Sequence, residues 1–279
     1  MAFLSFFRNF AQSFSGKYSV NIKEVVTTLE SFAPLPLQES YDNAGLQIGL
    51  TATEVSGVLL CLDVTEKVIA EAETKGCNLI VSHHPLLFKG LKRISDASQA
   101  ERCVALALRK GIAVYSVHTN LDNADGGVNF EMARHLGLRC LRFLIPNPEE
   151  GGSGLIGELP EKMAPQDFLQ MIRQEFNVEC LMHNELLVRP IQSVALCGGA
   201  GDFLLEEAER QHADAFLTGE MHYHVYMGME QKIQIAVLGH YQSEQYTKEL
   251  LAGILGKAHP DLKVVKSQVN TNPILYMYK

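Results

Sequence analysis

Histidines and carboxylates gather in four short groups along this chain: Ser82-His83-His84-Pro85, His118-Thr119-Asn120-Leu121-Asp122, Thr218-Gly219-Glu220 with His222 and His224 shortly after, and Gly239-His240 with Ser243-Glu244. Neutral imidazole and carboxylate are ligands that Zn, Mn, Fe or Ni accept. Adjacent histidines in a turn can point to two metals or to two faces of one site. Three or more histidines with two carboxylates exceed what one structural ion needs. A set without thiolate suits an open, hydrolytic site better than a closed structural one. Two ions ~3.5–4 Å apart, bridged by a carboxylate and a water, generate hydroxide at neutral pH and clamp a developing oxyanion. Asp122 and Glu244 are the candidates for that bridge. His135, His183, His212 and His259 lack such a context and read as surface or packing residues.

The elements that must position these groups are legible in the pattern. Asn21 followed by Glu24 predicts a helix start, with a stripe through Val25, Leu29 and Phe32 that Pro34 and Pro36 end. The apolar runs 57–63, 78–82 and 111–117 predict buried strands, separated by helical patterns over 65–75 and 98–110. This βαβαβ order implies a parallel sheet with helices on both faces. Residues 142–190 begin rich in Gly, Pro and Glu and predict a connector with a small excursion, with a helix around 166–176 and short strands. The pattern then restarts, with strands at 193–197, 214–218 and 234–239 and helices at 202–212, 223–230 and 243–255.

The restart is an internal repeat. Residues 72–84 align without gaps on 208–220 (208 − 72 = 136), which sets His83 and His84 against Gly219 and Glu220. Residues 115–122 align on 237–244 (237 − 115 = 122), so His118 meets His240 and Asp122 meets Glu244. The expected division is an arm at 1–20, a first α/β half at 21–140, the connector at 141–190 and a second half at 191–279. Ligands of open parallel sheets bind beyond the carboxyl ends of the strands. All four polar groups lie there, so a metal site between the halves follows.

Composition bounds the alternatives. At 47% apolar and 20% charged residues, the chain reads as ordinary globular protein rather than disordered. No apolar stretch nears the ~20 residues of a membrane span. A net charge of −8 argues against tight nonspecific nucleic-acid binding. The six cysteines form no CxxC pair, which predicts reduced thiols in a cytoplasmic protein. In the N-terminal stretch, Phe3, Phe6, Phe7, Phe10 and Phe14 recur at helical spacing. They predict an amphipathic arm that docks on the domain or on a neighbouring subunit, with a membrane-surface helix as the alternative.

Two glycine-rich segments have structural explanations of their own. DNAGLQIG (42–49) lacks the Lys-Ser/Thr ending of a phosphate loop and reads as a tight turn lining the site. LCGGAGD (196–202) reads either as a helix N-terminus for an anion or as glycines permitting a sharp strand-to-helix turn. Lys89, Lys92 and Arg93 form a local basic cluster, either facing a phosphate or forming a solvated loop.

The segments 41–49, 82–94 (SHHPLLFKGLKRI), 114–129 (VYSVHTNLDNADGGVN), 218–224 (TGEMHYH) and 239–244 (GHYQSE) together resemble the GTP cyclohydrolase 1 type 2 homologues, also described as NGG-interacting-factor-like dinuclear metal proteins. The resemblance covers roughly residues 21–279. It implies two similar α/β halves, two divalent ions held by His83, His84, Asp122, His240 and Glu244 with Glu244 bridging, and a toroidal homohexamer whose metals face an internal cavity. His118 and Glu220 match positions near the site and are carried as second-shell or proton-transfer groups. Tyr41 and Leu155 stand where the family often has Trp and Arg.

The reading that results is a two-metal hydrolase for a small nucleotide-like or phosphorylated substrate, with His118 or Glu220 moving protons. The alternative is a non-enzymatic, metal-binding, ring-forming scaffold or regulatory protein.

Overall fold

The computed structural model describes residues 19–277. The arm expected at 1–20 falls almost wholly outside the described residues. Among those residues the strands are β1 (Gly45–Ile48), β2 (Val58–Cys61), β3 (Leu79–Ser82), β4 (Ala113–Ser116), β5 (Arg139–Pro146), β6 (Gly152–Met163), β7 (Met182–His183), β8 (Ile191–Cys197), β9 (Ala215–Thr218), β10 (Gln234–Val237) and β11 (Val264–Lys266). They form two sheets, ordered β1-β4-β3-β2-β11 and β5-β6-β8-β9-β10-β7.

The repeat read from sequence is a repeat of topology. β2, β3 and β4 run parallel side by side, as do β8, β9 and β10. In each sheet the strand that precedes the triplet in sequence lies antiparallel on its far edge: β1 on β4, and β7 on β10. The chain is therefore two similar α/β halves, as expected.

Every residue of β2, β3, β4, β9 and β10 is buried, because helices cover both faces of each sheet. Side chains alternate between the faces with period two. Val58 and Leu60 pack with Val25, Leu29, Leu251 and Leu255 on one face, while Leu59 and Cys61 pack with Val68, Ile69 and Ala107 on the other. In the second sheet Val194 and Leu196 face Phe168 and Ile172, while Ala195 and Cys197 face Leu204 and Leu205.

The covering helices stop and start where local chemistry dictates. Asn21 and Glu24 form the reciprocal capping box of helix Ile22–Phe32. Thr65 caps Glu66–Thr74, and Ser98 caps Gln99–Lys110, which ends on left-handed Gly111. The helices expected at 202–212 and 223–230 are shorter than their patterns: a 3-10 turn Asp202–Leu204 leading into Leu205–Arg210, and a 3-10 turn Tyr223–Tyr226.

Two segments sit differently from the sequence reading. Residues 141–190 are more than a connector, because β6 and most of β5 form a long hairpin that extends the second sheet beyond β8, β7 closes its other edge, and helix Pro165–Glu175 covers one face. The glycines of this stretch mark close strand approach rather than a loop: a Cβ on Gly152 would lie 2.5 Å from the Ile145 carbonyl oxygen. The end of the second half returns to the first. Helix Thr247–Ala258 buries Leu251 and Leu255 in the first sheet's core, and β11 pairs parallel with β2. The two halves are thus tied by a shared C-terminal segment.

Among the described residues no helix is long and apolar enough to cross a membrane. All six cysteines are free.

Candidate metal centre

The carboxyl ends of the parallel strands bring the polar groups together. His83 and His84 continue the β3 ladder past its last residue, their amides donating to the Cys61 and Leu62 carbonyls at 3.1 and 2.9 Å. That pairing fixes the backbone, so alternate side chains turn to opposite faces. His83 turns inward and is fully buried, whereas His84 stays partly exposed. His240 and Glu244 occupy one face of the single helical turn His240–Glu244 that follows β10.

Each imidazole has its Nδ1 committed. His83 Nδ1 donates to the Val117 carbonyl at 2.8 Å. His84 Nδ1 donates to Asp63 Oδ1 at 2.8 Å, and His240 Nδ1 to Glu220 Oε1 at 2.8 Å. His118 Nδ1 donates to Asp42 Oδ1 at 2.7 Å. A carbonyl or carboxylate oxygen only accepts, so Nδ1 carries the proton and Nε2 is left with a lone pair. This is how metal-binding histidines are held in tautomer and orientation.

The Nε2 atoms then converge on Glu244. His84 Nε2 and His240 Nε2 lie 3.3 Å apart, at 3.0 and 3.2 Å from Glu244 Oε2. Three electron-rich atoms this close repel unless a proton or a metal ion lies among them. On the other carboxylate oxygen, Glu244 Oε1 is 3.6 Å from His83 Nε2, which is itself 3.7 Å from Asp122 Oδ1. His83 Nε2 and Asp122 Oδ1 are buried and have no hydrogen-bonding partner among the described residues. Buried polar atoms are seldom left unpaired without a functional reason such as an ion. His83, His84 and Glu244 offer ligand atoms within 4.8 Å of one another, so this group can hold a metal ion.

The electrostatics agree. Burial lowers the basicity of His84 and His240, but Asp63 and Glu244 outweigh it for the first and chiefly Glu244 for the second, raising them to about 10 and about 9. His83 is likewise raised, because Asp122 and Glu244 overcome burial. Burial raises Asp122, and the charge of Glu244 adds to it. Burial also acts to raise Glu244, but the surrounding imidazoles hold it well below the usual carboxylate range. A pocket that attracts protons this strongly attracts cations for the same reason. Cys197, at the end of β8, takes no part as a thiolate: burial first, then the Asp122 and Glu244 charges, push its pKa up.

The space is kept open by glycine. Gly199 has φ +58°, and a Cβ there would stand 2.5 Å from Glu244 Oε1 and 3.4 Å from the His240 ring. The LCGGAGD turn spends three of its amides on the protein itself, with Gly198, Gly199 and Gly201 donating to Asn129, Ser243 and Thr218 side chains. These bonds favour the packing turn over an anion cradle.

The structure brings the five residues expected as ligands close together: His83, His84 and Glu244 form the group that could hold a metal ion, with Asp122 beside His83 and His240 beside Glu244. Glu220 and His118 take distinct places beside it. Glu220 is half exposed and holds His240 from behind. His118 packs its ring against those of His83 and His84, 5.4 and 5.6 Å between centroids. His222 is exposed and pairs with Asp202 at 2.5 Å, while exposed His224 stacks edge-on with Tyr223. His135 packs on Tyr246, and His259 bonds Thr28.

Sequence reasoning missed two residues. Asp63 follows β2 at the same sheet end, and that position was its available signal. Asp42 was read only as a turn residue, yet it accepts from His118, from the Thr119 amide and from the Thr119 hydroxyl.

Fold and site together define a two-sheet α/β protein with a histidine–carboxylate cluster that could hold a metal ion at the strand ends. The sequence profile of Duf34/NIF3 (NGG1p interacting factor 3) matches residues 20–273, and the chain belongs to that family. A "GTP cyclohydrolase 1 type 2 homolog" of Clostridium acetobutylicum is 32% identical over 94% of this chain and 100% of its own. "NIF3-like protein 1" of Drosophila melanogaster is 33% identical over 94% of this chain and 90% of its own. The crystal structure of Staphylococcus aureus hypothetical protein SA1388 superposes with TM-score 0.85 at 27% identity, covering 93% of this chain and all of that one. That of a Bacillus cereus protein related to NIF3 has TM-score 0.85 at 24% identity, over 94% of this chain and 100% of its own, and supports the fold.

Proposed function

We propose that this protein is a dinuclear metal-dependent hydrolase for a small nucleotide-like or phosphorylated substrate. The observation that carries the reading is the division of labour at Glu244: Oε2 faces His84 and His240, while Oε1 faces His83, itself beside Asp122. One carboxylate thus joins two ligand groups. When bound there, divalent ions such as Zn, Mn, Fe or Ni supply Lewis acidity toward a carbonyl or phosphoryl centre and acidify a coordinated water.

The protein's own groups do the rest. The Nδ1 partners Asp63, Glu220 and Val117 fix the rings, so no reorganisation is needed when charge develops. His118, held by Asp42 and partly open to solvent, stands where it can accept or return a proton. Glu220 works through His240 and is a positioning residue in this reading.

The names of the relatives point to opening of a guanine nucleotide's ring. The donor set serves that reaction and phosphoester cleavage alike, so the substrate class is kept at nucleotide-like or phosphorylated. The family resemblance supports a homohexamer, the unpaired cysteines support a cytoplasmic setting, and the net charge of −8 speaks against nucleic acid as partner.

The test is a turnover screen of metal-loaded protein against nucleoside triphosphates and phosphomonoesters and phosphodiesters, with His83→Ala as control. Turnover that disappears in the variant supports the hydrolase. Full metal occupancy without turnover, with the assembly dissociating when metal is removed, supports the ring-forming scaffold instead.

A further inference from the structure

Of the four oriented imidazoles, two are held through an aspartate that is itself gripped by a threonine hydroxyl. For His118 the threonine is the next residue, Thr119, acting on Asp42. For His84 it is Thr271, which reaches Asp63 from 208 positions along the chain: Thr271 Oγ1 donates to Asp63 Oδ2 at 2.6 Å, and Asp63 Oδ1 accepts from His84 Nδ1 at 2.8 Å.

Thr271 lies in the C-terminal strap that follows β11. The strap is fastened mainly by polar contacts. The Ser267 amide donates to the Leu60 carbonyl, and its hydroxyl donates to Glu71. Asn270 and Asn272 each accept from the amide two residues on, which fixes a chain of turns around Thr271. Beyond them Leu275 and Met277 are almost fully exposed, so little apolar packing holds this end down. Between strap and helix His240–Glu244 lies an open, polar cleft of about 770 Å³ lined in part by Tyr241, Gln242, Asn270 and Tyr276.

An aspartate with one oxygen on an imidazole still has a free rotation and a free second oxygen. Water competes for both unless another donor claims them. We infer that Thr271 is a positioning residue: by occupying Asp63 Oδ2 it fixes the carboxylate, and through it the ring plane of His84, so that docking of the strap sets how well the His84–His240–Glu244 side of the centre holds its ion. The inference rests on the metal reading given above.

The experiment compares wild-type protein with Thr271→Val, which keeps the shape and loses the donor, and Thr271→Ser, which restores the hydroxyl. Zn²⁺ affinity is measured by competition with a chromophoric chelator, and the thermal midpoint is measured on metal-free protein. The expected result is that Val weakens the weaker or the tighter of the Zn²⁺ steps about 10-fold, Ser restores it to within about 3-fold, and the other step is unmoved. Equal Zn²⁺ affinity in wild type and Thr271→Val overturns the inference and leaves the metal reading standing. Zn²⁺ affinity lost in Val and Ser alike, in step with a fallen metal-free midpoint, also overturns it, because the strap then acts only as a structural clasp. Wild-type protein that binds no Zn²⁺, Mn²⁺, Fe²⁺ or Ni²⁺ removes both readings together.

Discussion

Gly199 and Glu244 stand so close that no side chain fits between them: a Cβ at Gly199 would meet Glu244 Oε1 at 2.5 Å. The glycine lies in the left-handed region as well, so its absence of a side chain is required twice over. Gly199→Ala is expected to push Glu244 away from His83 and to cost about 1–2 kcal/mol for the backbone alone. Metal content after dialysis against limiting Zn²⁺ should fall, together with the midpoint of urea unfolding. An alanine variant with full metal content and unchanged midpoint would show that the turn is pliable there.

Asp42 predicts an acid limit. Burial tends to raise its pKa, but the hydrogen bonds from His118 and Thr119 overcome that and lower it to about 2 from an ordinary 3.8. A carboxylate depressed in the fold contributes stability that is complete above about 4 and is lost as pH falls through about 2. The contribution is at most about 2 kcal/mol once solvent screening is allowed for. Wild-type protein should therefore lose more stability between pH 4 and 2 than Asp42→Asn does, by urea titration at each pH. Identical acid profiles would contradict the pairing.

The shared C-terminal segment predicts coupling between the halves. Leu255 is fully buried in the first sheet's core although it belongs to the second half in sequence. Leu255→Ala should cost about 2–5 kcal/mol. Hydrogen exchange should then quicken in β2 and β3, and not only in the helix that carries the change. Loss of protection confined to the second sheet would contradict the packing.

Most of the centre could be read from sequence because its residues sit where one rule applies. His83, His84, His118 and His240 each follow a short, largely apolar strand, and Glu244 lies one helical turn beyond His240. What escaped depends on partners distant in sequence or on glycine's double meaning. Asp63 is a lone acid after a strand, and nothing local says that His84 lies against it. β11 is three residues long, and its pairing with β2 spans some two hundred residues, so no periodicity announces it. The β5–β6 hairpin is hard to read beyond short strands, because Gly152 and Gly154 resemble loop residues in sequence, whereas in the sheet they make room for neighbouring strands. β1 reads as a turn in sequence because its four residues follow Asn43-Ala44 and are followed by Gly49.

Removing one arm of the centre should remove one ion. His240→Ala deletes a ligand atom that faces only Glu244 Oε2 and His84, so the His83–Asp122 side keeps its donors. The expected product is a protein with half the wild-type metal content, measured by elemental analysis after exhaustive dialysis. Complete loss in this variant would mean that the ions bind as an inseparable pair.

Whether Glu244 joins two cation sites is tested most directly by the number of ions per chain in protein purified without chelator, with anomalous scattering to place them. Two ions on opposite oxygens of Glu244, both lost in Glu244→Ala, are predicted. A single ion at most in the wild type, or two retained in the variant, would contradict it.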